Sequence, residues 1–290
     1  MKRLRNWAAL FALLWVLPVN AALAATLFAT LGAGSGTSNL VEINPTTGAL
    51  VRVIGNVGYL VNGMTYDATS GTLYATTSTN SAAHPNGLIT INLTTGAGAP
   101  VGTGAGQFVN VPAVDSAGKL VGWTEASDDL VVWNKAAGTI VVPGPAGIST
   151  GEQSLAFDNN DVLYLLNGNS NLYTINTTTG AAALLGSVPN LGVNGLGHHG
   201  DFNPDNNLLY ALDATADYGS TRNLLLVNVL TRQVVQTIPT IDNLHTLAFV
   251  GVPAPSRPAQ IPVDNPLALF GLAAMIAGLG MALGRRRAGR

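Results

Sequence analysis

Short apolar runs alternate with clusters of Asn, Thr, Asp and Gly along most of the chain, and the clusters recur. Residues 171–180 read NLYTINTTTG. Near copies stand at 39–48 (NLVEINPTTG) and 87–96 (GLITINLTTG), with weaker ones at 129–138 (DLVVWNKAAG) and 223–232 (NLLLVNVLTR). The turn asparagines are Asn44, Asn92, Asn134, Asn176 and Asn228, spaced by 48, 42, 42 and 52 residues. A strand-and-turn repeat of this period predicts a propeller or an array.

The unit resolves into four strands. Strand a covers 61–66, 109–114 and 153–157, each followed by a turn led by Asp67, Asp115 or Asp158. An Asp side chain bonds forward to the backbone in such turns. Strand b follows (72–76, 119–123, 162–166, 208–212), strand c is the recurring motif, and strand d is short and valine-rich (49–54, 181–186, 234–238). Alternation in strands b and c predicts half-buried antiparallel sheet. Before the complete units lie only strands b, c and d (26–57), and after them only a strand a (243–250). The two fragments make one whole unit. The expectation is therefore all-β: a five-bladed β-propeller over residues 26–251, with one blade closed by both chain ends.

Composition narrows the partners. The 290 residues suffice for one large domain, only 10% are charged, and there is no cysteine. That excludes disulfides, thiolate metal sites and a cysteine nucleophile. Of 13 Lys and Arg, seven lie at the two ends (Lys2, Arg3, Arg5, Arg285, Arg286, Arg287, Arg290), leaving six in the middle against 14 acids. A middle of about −8 offers no basic patch for nucleic acid.

The ends carry an address. Residues 1–24 read as a secretory signal: a basic start, an apolar run over 7–19, and Ala22-Leu23-Ala24 before the cleavage point. Residues 252–266 are a Pro-rich linker. Residues 267–284 are apolar and uncharged, long enough for a short transmembrane helix, within a terminal segment running to 290. Arg285-Arg286-Arg287 then place the C-terminus in the cytoplasm and the body outside. Ile261-Pro262-Val263-Asp264, the apolar helix and the arginine cluster together resemble the bacterial PEP-CTERM and IPTL-CTERM sorting tails. That resemblance implies a cell-envelope address, with a membrane-anchored protein or one released by a sorting enzyme. The body's repeat grammar resembles YVTN- and quinoprotein-like propellers.

Candidate chemistry centres on strand a. Aligning Phe157 with Tyr66, Val114, His198 and Phe249 puts Gln153, Asn62, Asn110, Asn194 and His245 four positions earlier. Five uncharged hydrogen-bonding residues would then ring one mouth of the channel, a place for a divalent cation, with His245 its nitrogen ligand, or for a small polar ligand. Hydrolytic propellers of the gluconolactonase type hold a divalent metal at a similar position. His198 and His199 are adjacent, so on a strand at most one joins a shared site. The longest b–c loops are 77–86 and 213–222, and the second carries Asp213, Asp217, Tyr218 and Arg222, the densest mixed-charge cluster of the body. Loops on a rigid scaffold carry recognition. No GxSxG elbow, HExxH or P-loop is present. The reading is an exported, envelope-anchored module that serves for binding or as a structural element at the surface, with an extracellular protein or glycan as ligand. The alternative is a metal-dependent, lactonase-like hydrolase using the mouth ring.

Overall fold

The computed structural model describes residues 24–32, 36–151, 153–189, 191, 196–213 and 221–251. Residues 1–23 of the segment read as a secretory signal, residues 252–290, and Asn194, Asp217 and Tyr218 lie outside the described residues. Among the described residues no helix is long and apolar enough to cross a membrane.

Among the described residues twenty strands form five four-stranded antiparallel sheets. Blade 1 holds β1 (Thr26–Leu31), β2 (Asn39–Ile43) and β3 (Leu50–Asn56). Blade 2 holds β4 (Val61–Asp67), β5 (Thr72–Thr77), β6 (Leu88–Ile91) and β7 (Gly98–Val101). Blade 3 is β8 (Val109–Val114), β9 (Leu120–Thr124), β10 (Asp129–Asn134) and β11 (Thr139–Val141). Blade 4 is β12 (Gln153–Phe157), β13 (Leu163–Asn167), β14 (Asn171–Ile175) and β15 (Ala182–Ser187). Blade 5 is β16 (Leu196–Asn203), β17 (Leu208–Asp213), β18 (Thr221–Asn228) and β19 (Gln233–Asp242). The last strand, β20 (Leu244–Val250), returns to complete blade 1. It pairs with β1 from Thr26↔Val250 to Leu31↔Leu244. The first strands of the blades touch in a closed circuit, β20–β4–β8–β12–β16–β20.

The core is five wedges, one between each pair of blades. Leu27 and Phe249 of blade 1 pack on Tyr210 and Leu226 of blade 5. Phe28 and Leu40, from the opposite face of blade 1, pack on Met64 and Ile89 of blade 2. Each blade is thus covered on both sides, and β9 and β13 are buried at every position. This corrects the expectation of half-buried strands. Only the outermost strands face water, leaving Leu50, Val53, Val141 and Leu184 exposed.

All five c–d turns have one design. Each leading Asn accepts two backbone N–H groups: Asn44 from Thr46 and Thr47, Asn176 from Thr178 and Thr179, Asn228 from Leu230 and Thr231. Asn92 and Asn134 do the same. In blades 1 to 4 the turn closes on a glycine that presses on the preceding blade, whereas in blade 5 Arg232 stands there with φ +55°. A Cβ on Gly96 would lie 2.6 Å from Gly55 O, and one on Gly48 would lie 2.0 Å from Pro239 O. Only a residue without a side chain permits that approach, and φ of +78° at Gly96 adds a second reason for glycine.

The a–b turns link blades on the same face. Ser116 of blade 3 donates to Asp161 of blade 4. Asn159 of blade 4 donates to Pro204 O of blade 5 at 2.8 Å. Asp205 of blade 5 accepts Ala25 N at 2.8 Å, at the entry to β1.

Candidate functional site

The innermost strands begin at the face that carries the b–c loops. Near that end, four of the five depart from regular pairing. Asn62 is the extra residue between Val61↔Thr77 and Gly63↔Thr76. His245 is the extra residue between the pairs of Leu244 and Thr246. Asn110 lies in a similar irregularity between Val109 and Pro112, and residues 197–199 in a longer one between Leu196 and Gly200. Blade 4 alone stays regular, with Gln153 opposite Asn167. A bulge frees a residue from the ladder and re-aims its side chain. The backbone therefore singles out the mouth positions independently of their chemistry.

Asn62 Nδ2 donates to Asn110 Oδ1, across from blade 2 to blade 3. Asn110 Nδ2 donates in turn to Glu125, in the b–c loop of blade 3. His245 faces the open backbone edge of blade 2, its Nδ1 3.1 Å from Val61 O. A carbonyl only accepts, so Nδ1 carries the proton and Nε2 the lone pair. Gln153 is fully buried, and neither of its amide atoms has a hydrogen-bond partner among the described residues. The hydroxyls of Ser154, Thr246 and Thr30 share that condition. Buried amides and hydroxyls without partners are costly, which makes this end of the channel the candidate site.

In blade 5 the register differs from the sequence alignment. Phe202, not His198, stands opposite Leu209, as Phe157 stands opposite Leu163. The turn after it is led by Asn203, which accepts Asp205 N as Asp67 accepts Thr69 N. Counting back four residues from Phe202 reaches His198, so the alignment that selected Asn194 does not hold in this blade, and Asn194 itself lies outside the described residues. His199 follows with φ +92° and a buried ring, 5.4 Å from the ring of His245. It also reaches blade 2, where a Cβ on Gly63 would lie 3.3 Å from His199 Cε1. Blades 5 and 2 are separated by blade 1, so His199 lies across the channel.

Two further side chains of this region, Glu125 and Asp201, escape sequence reasoning, and a third, His199, is singled out in the sequence only as one of an adjacent pair. Glu125 comes to the mouth through a short loop, with no pattern to mark it. His199 depends on the bulge. Asp201 follows from the corrected register: it occupies the position filled by Thr65, Ala113, Ala156 and Ala248 in the other blades. Its Oδ2 accepts Phe249 N of blade 1 at 2.8 Å and its Oδ1 accepts Phe202 N at 2.9 Å. Burial of the carboxylate raises its pKa to about 7, against the lowering by those two N–H groups.

The predicted loop cluster is partly structural. Asp213 is buried and accepts both Asn223 N (2.7 Å) and Asn223 Nδ2 (2.6 Å), bracing the base of the loop. Arg222 is also buried. Loop 77–86 is held internally, with Ser81 Oγ donating to Ala83 O at 2.8 Å and Thr79 to Asn86 at 2.8 Å. His84 lies 3.1 Å from Leu88 O. Among the described residues no three His, Cys, Asp or Glu side chains form a group fit for a metal ion.

No protein-family model matches the chain. No curated protein matches it in sequence. Solved structures do match in fold. A chain from the crystal structure of a nidogen–laminin complex superposes with a TM-score of 0.52 at 12% identity, covering 80% of this chain and 100% of that one. A Bacteroides caccae protein of unknown function gives 0.50 at 12% identity, covering 79% and 99%. At this identity the likeness establishes the β-propeller and nothing of the activity.

Proposed function

We propose that the protein is an exported β-propeller, anchored in the cell envelope, that acts as a binding module through its b–c loop face. The observation that carries this reading is the gathering of polar groups at one face. Asn62, Asn110, Gln153, His245 and Glu125 all stand where the innermost strands begin, beneath the longest loops. The opposite face is occupied by turns that tie blade to blade. Residues 1–24 and 267–290 supply the envelope address, and β20 ends on the face of the blade-linking turns. The linker therefore leaves from that side and turns the b–c loops away from the membrane. The ligand class that fits is an extracellular protein or glycan.

The test is retention of envelope components by the purified full chain, with residues 78–86 replaced by a Gly/Ser segment in a second preparation. The reading expects a specific polysaccharide or surface protein retained by the first and lost by the second. Equal retention by both contradicts it.

A lactonase-like hydrolase is the second reading, and Glu125 is the observation in its favour. It supplies a carboxylate beside Asn62 and Asn110, an oxygen set suited to a hard cation such as calcium. Calcium-dependent lactone hydrolysis that Glu125→Gln abolishes would establish it. No hydrolysis with calcium present would remove it.

A further inference from the structure

We propose that the chain is cut between Ala24 and Ala25, and that the α-ammonium group so created pairs with Asp205 and fastens the first strand to blade 5 at the seam of the ring. This rests on the export proposed for the chain; the cut point and the role of the new terminus go beyond it.

Three observations converge. The first is sequence. Ala22-Leu23-Ala24 puts small residues one and three places before this bond, the pattern of a leader cleavage site. A cut one residue later would put Leu23 in the third place. The second is burial. Ala24 is exposed, whereas Ala25 is 6% exposed and belongs to the core cluster between blades 1 and 5. A notional Cβ on Gly251, just after β20, would lie 3.0 Å from Ala25 Cβ and 3.4 Å from Pro204 Cγ. The two ends of the body and a turn of blade 5 therefore meet at one point. The bond to be cut separates a residue outside that junction from the first one inside it. The third is the partner of the nitrogen. Ala25 N donates to Asp205 Oδ2 at 2.8 Å. Asp205 is positioned by its own N–H, which donates to Asn203 Oδ1 at 2.9 Å.

Hydrolysis changes that contact. The C–N bond breaks, the oxygen of water goes to the Ala24 carboxylate, and its two protons join the one already on the Ala25 nitrogen. An α-amino group is mostly charged at neutral pH. One neutral N–H facing a carboxylate thus becomes an ammonium with three donors, and a charge-assisted bond is roughly twice as strong as a neutral one. The ties from blade 3 to blade 4 and from blade 4 to blade 5 use internal groups of the chain. At the seam the donor is the new end of the chain itself. A chain without cysteine has no disulfide to secure that seam, and this tie reaches full strength only in the processed protein.

The experiment starts from the full chain, expressed in a bacterium with its export machinery intact. Mass spectrometry of the envelope product should give Ala25 as the first residue. An exported product with any other first residue overturns the proposal and leaves the export reading standing. A product that stays in the cytoplasm with residues 1–24 attached removes both. The pairing is then read on the processed protein and on one carrying Gly-Ser ahead of Ala25, each with and without Asp205→Asn. That substitution keeps an acceptor and removes the charge. It should lower the melting temperature of the processed protein by about 1–3 °C at low salt, and by less at about 1 M salt. The extended protein should shift by less than half as much. Equal shifts in the two proteins, or a shift that salt leaves unchanged, overturn the pairing.

Discussion

Phe249 donates its backbone N–H to Asp201 across the seam where the ring closes, at 2.8 Å. The donor lies on the strand that returns from the end of the body, and the acceptor on the first strand of blade 5. Without Asp201 that N–H would belong to an open strand edge facing the channel. One carboxylate thus satisfies the closing strand, at the cost of leaving water.

That cost gives a pH dependence with a definite sign. Asp201 has its pKa raised from 3.8 to about 7, so the folded form binds a proton more readily than the unfolded one. Its contribution to stability is greatest at low pH and is lost as pH rises from about 4 through 7. Asp201→Asn, which mimics the protonated acid, should flatten the fall in melting temperature between pH 5 and pH 8. Parallel pH curves for the two proteins would contradict this.

Asp67 shows the opposite sign. It is buried, and burial alone would raise its pKa, yet Lys135, Thr69 and Ser70 lower it to about 2. The Lys135 Nζ lies 2.7 Å from Asp67 Oδ2, tying blade 3 to blade 2. This contribution is full above about pH 4 and disappears as pH falls through 2. Lys135→Met leaves a buried carboxylate with only hydroxyl and N–H donors. Because the lysine is partly exposed, the expected loss in a urea titration at pH 7 is about 1–3 kcal/mol. A change under about 0.3 kcal/mol would show the pair to be inert.

The turn glycines allow a controlled comparison. Gly58 has φ +81° with nothing within 4 Å of a notional Cβ, whereas Gly96 has φ +78° and meets Gly55 O at 2.6 Å. Gly58→Ala should cost only the backbone penalty, about 1–2 kcal/mol. Gly96→Ala carries the same penalty plus a clash with backbone of the preceding blade, and should lose more. Equal losses would mean that the turns do not latch the blades.

Closure itself is testable by truncation. A chain ended after Thr240 lacks β20 and with it the buried side chains of Leu244, Leu247 and Phe249. Each buried side chain of this kind contributes about 1.5–3 kcal/mol, so the loss rivals the whole stability of a domain. Circular dichroism should show no cooperative melt for that chain, and a cooperative one for a chain ended after Gly251. Identical melts would refute closure by the two ends.

The blade count, the seam and the turn design were legible because the repeat states them five times. Asn44, Asn92, Asn134, Asn176 and Asn228 each lead a turn of one geometry, and the incomplete units at residues 26–57 and 243–250 demanded each other. The burial of strand b on both faces was not legible, since alternation in one strand does not reveal how many neighbours its sheet has. The site was read in part. Asn62, Asn110, Gln153 and His245 could be picked out as candidates because they share a column. Asn194 was chosen by taking His198 as the aromatic of its unit, when the turn led by Asn203 fixes Phe202 instead. Glu125 and His199 depend on a loop and a bulge, whose directions no residue pattern encodes.

The binding account is tested most directly by hydroxyl-radical footprinting of the full chain in its native envelope and after purification. Binding through the b–c loop face predicts that residues 78–86 and 125–128 are protected in the envelope and become reactive once purified. The c–d turns at 44–48, 92–96 and 176–180 should react equally in both states. Protection confined to those turns, or no difference at the loops, would contradict the account.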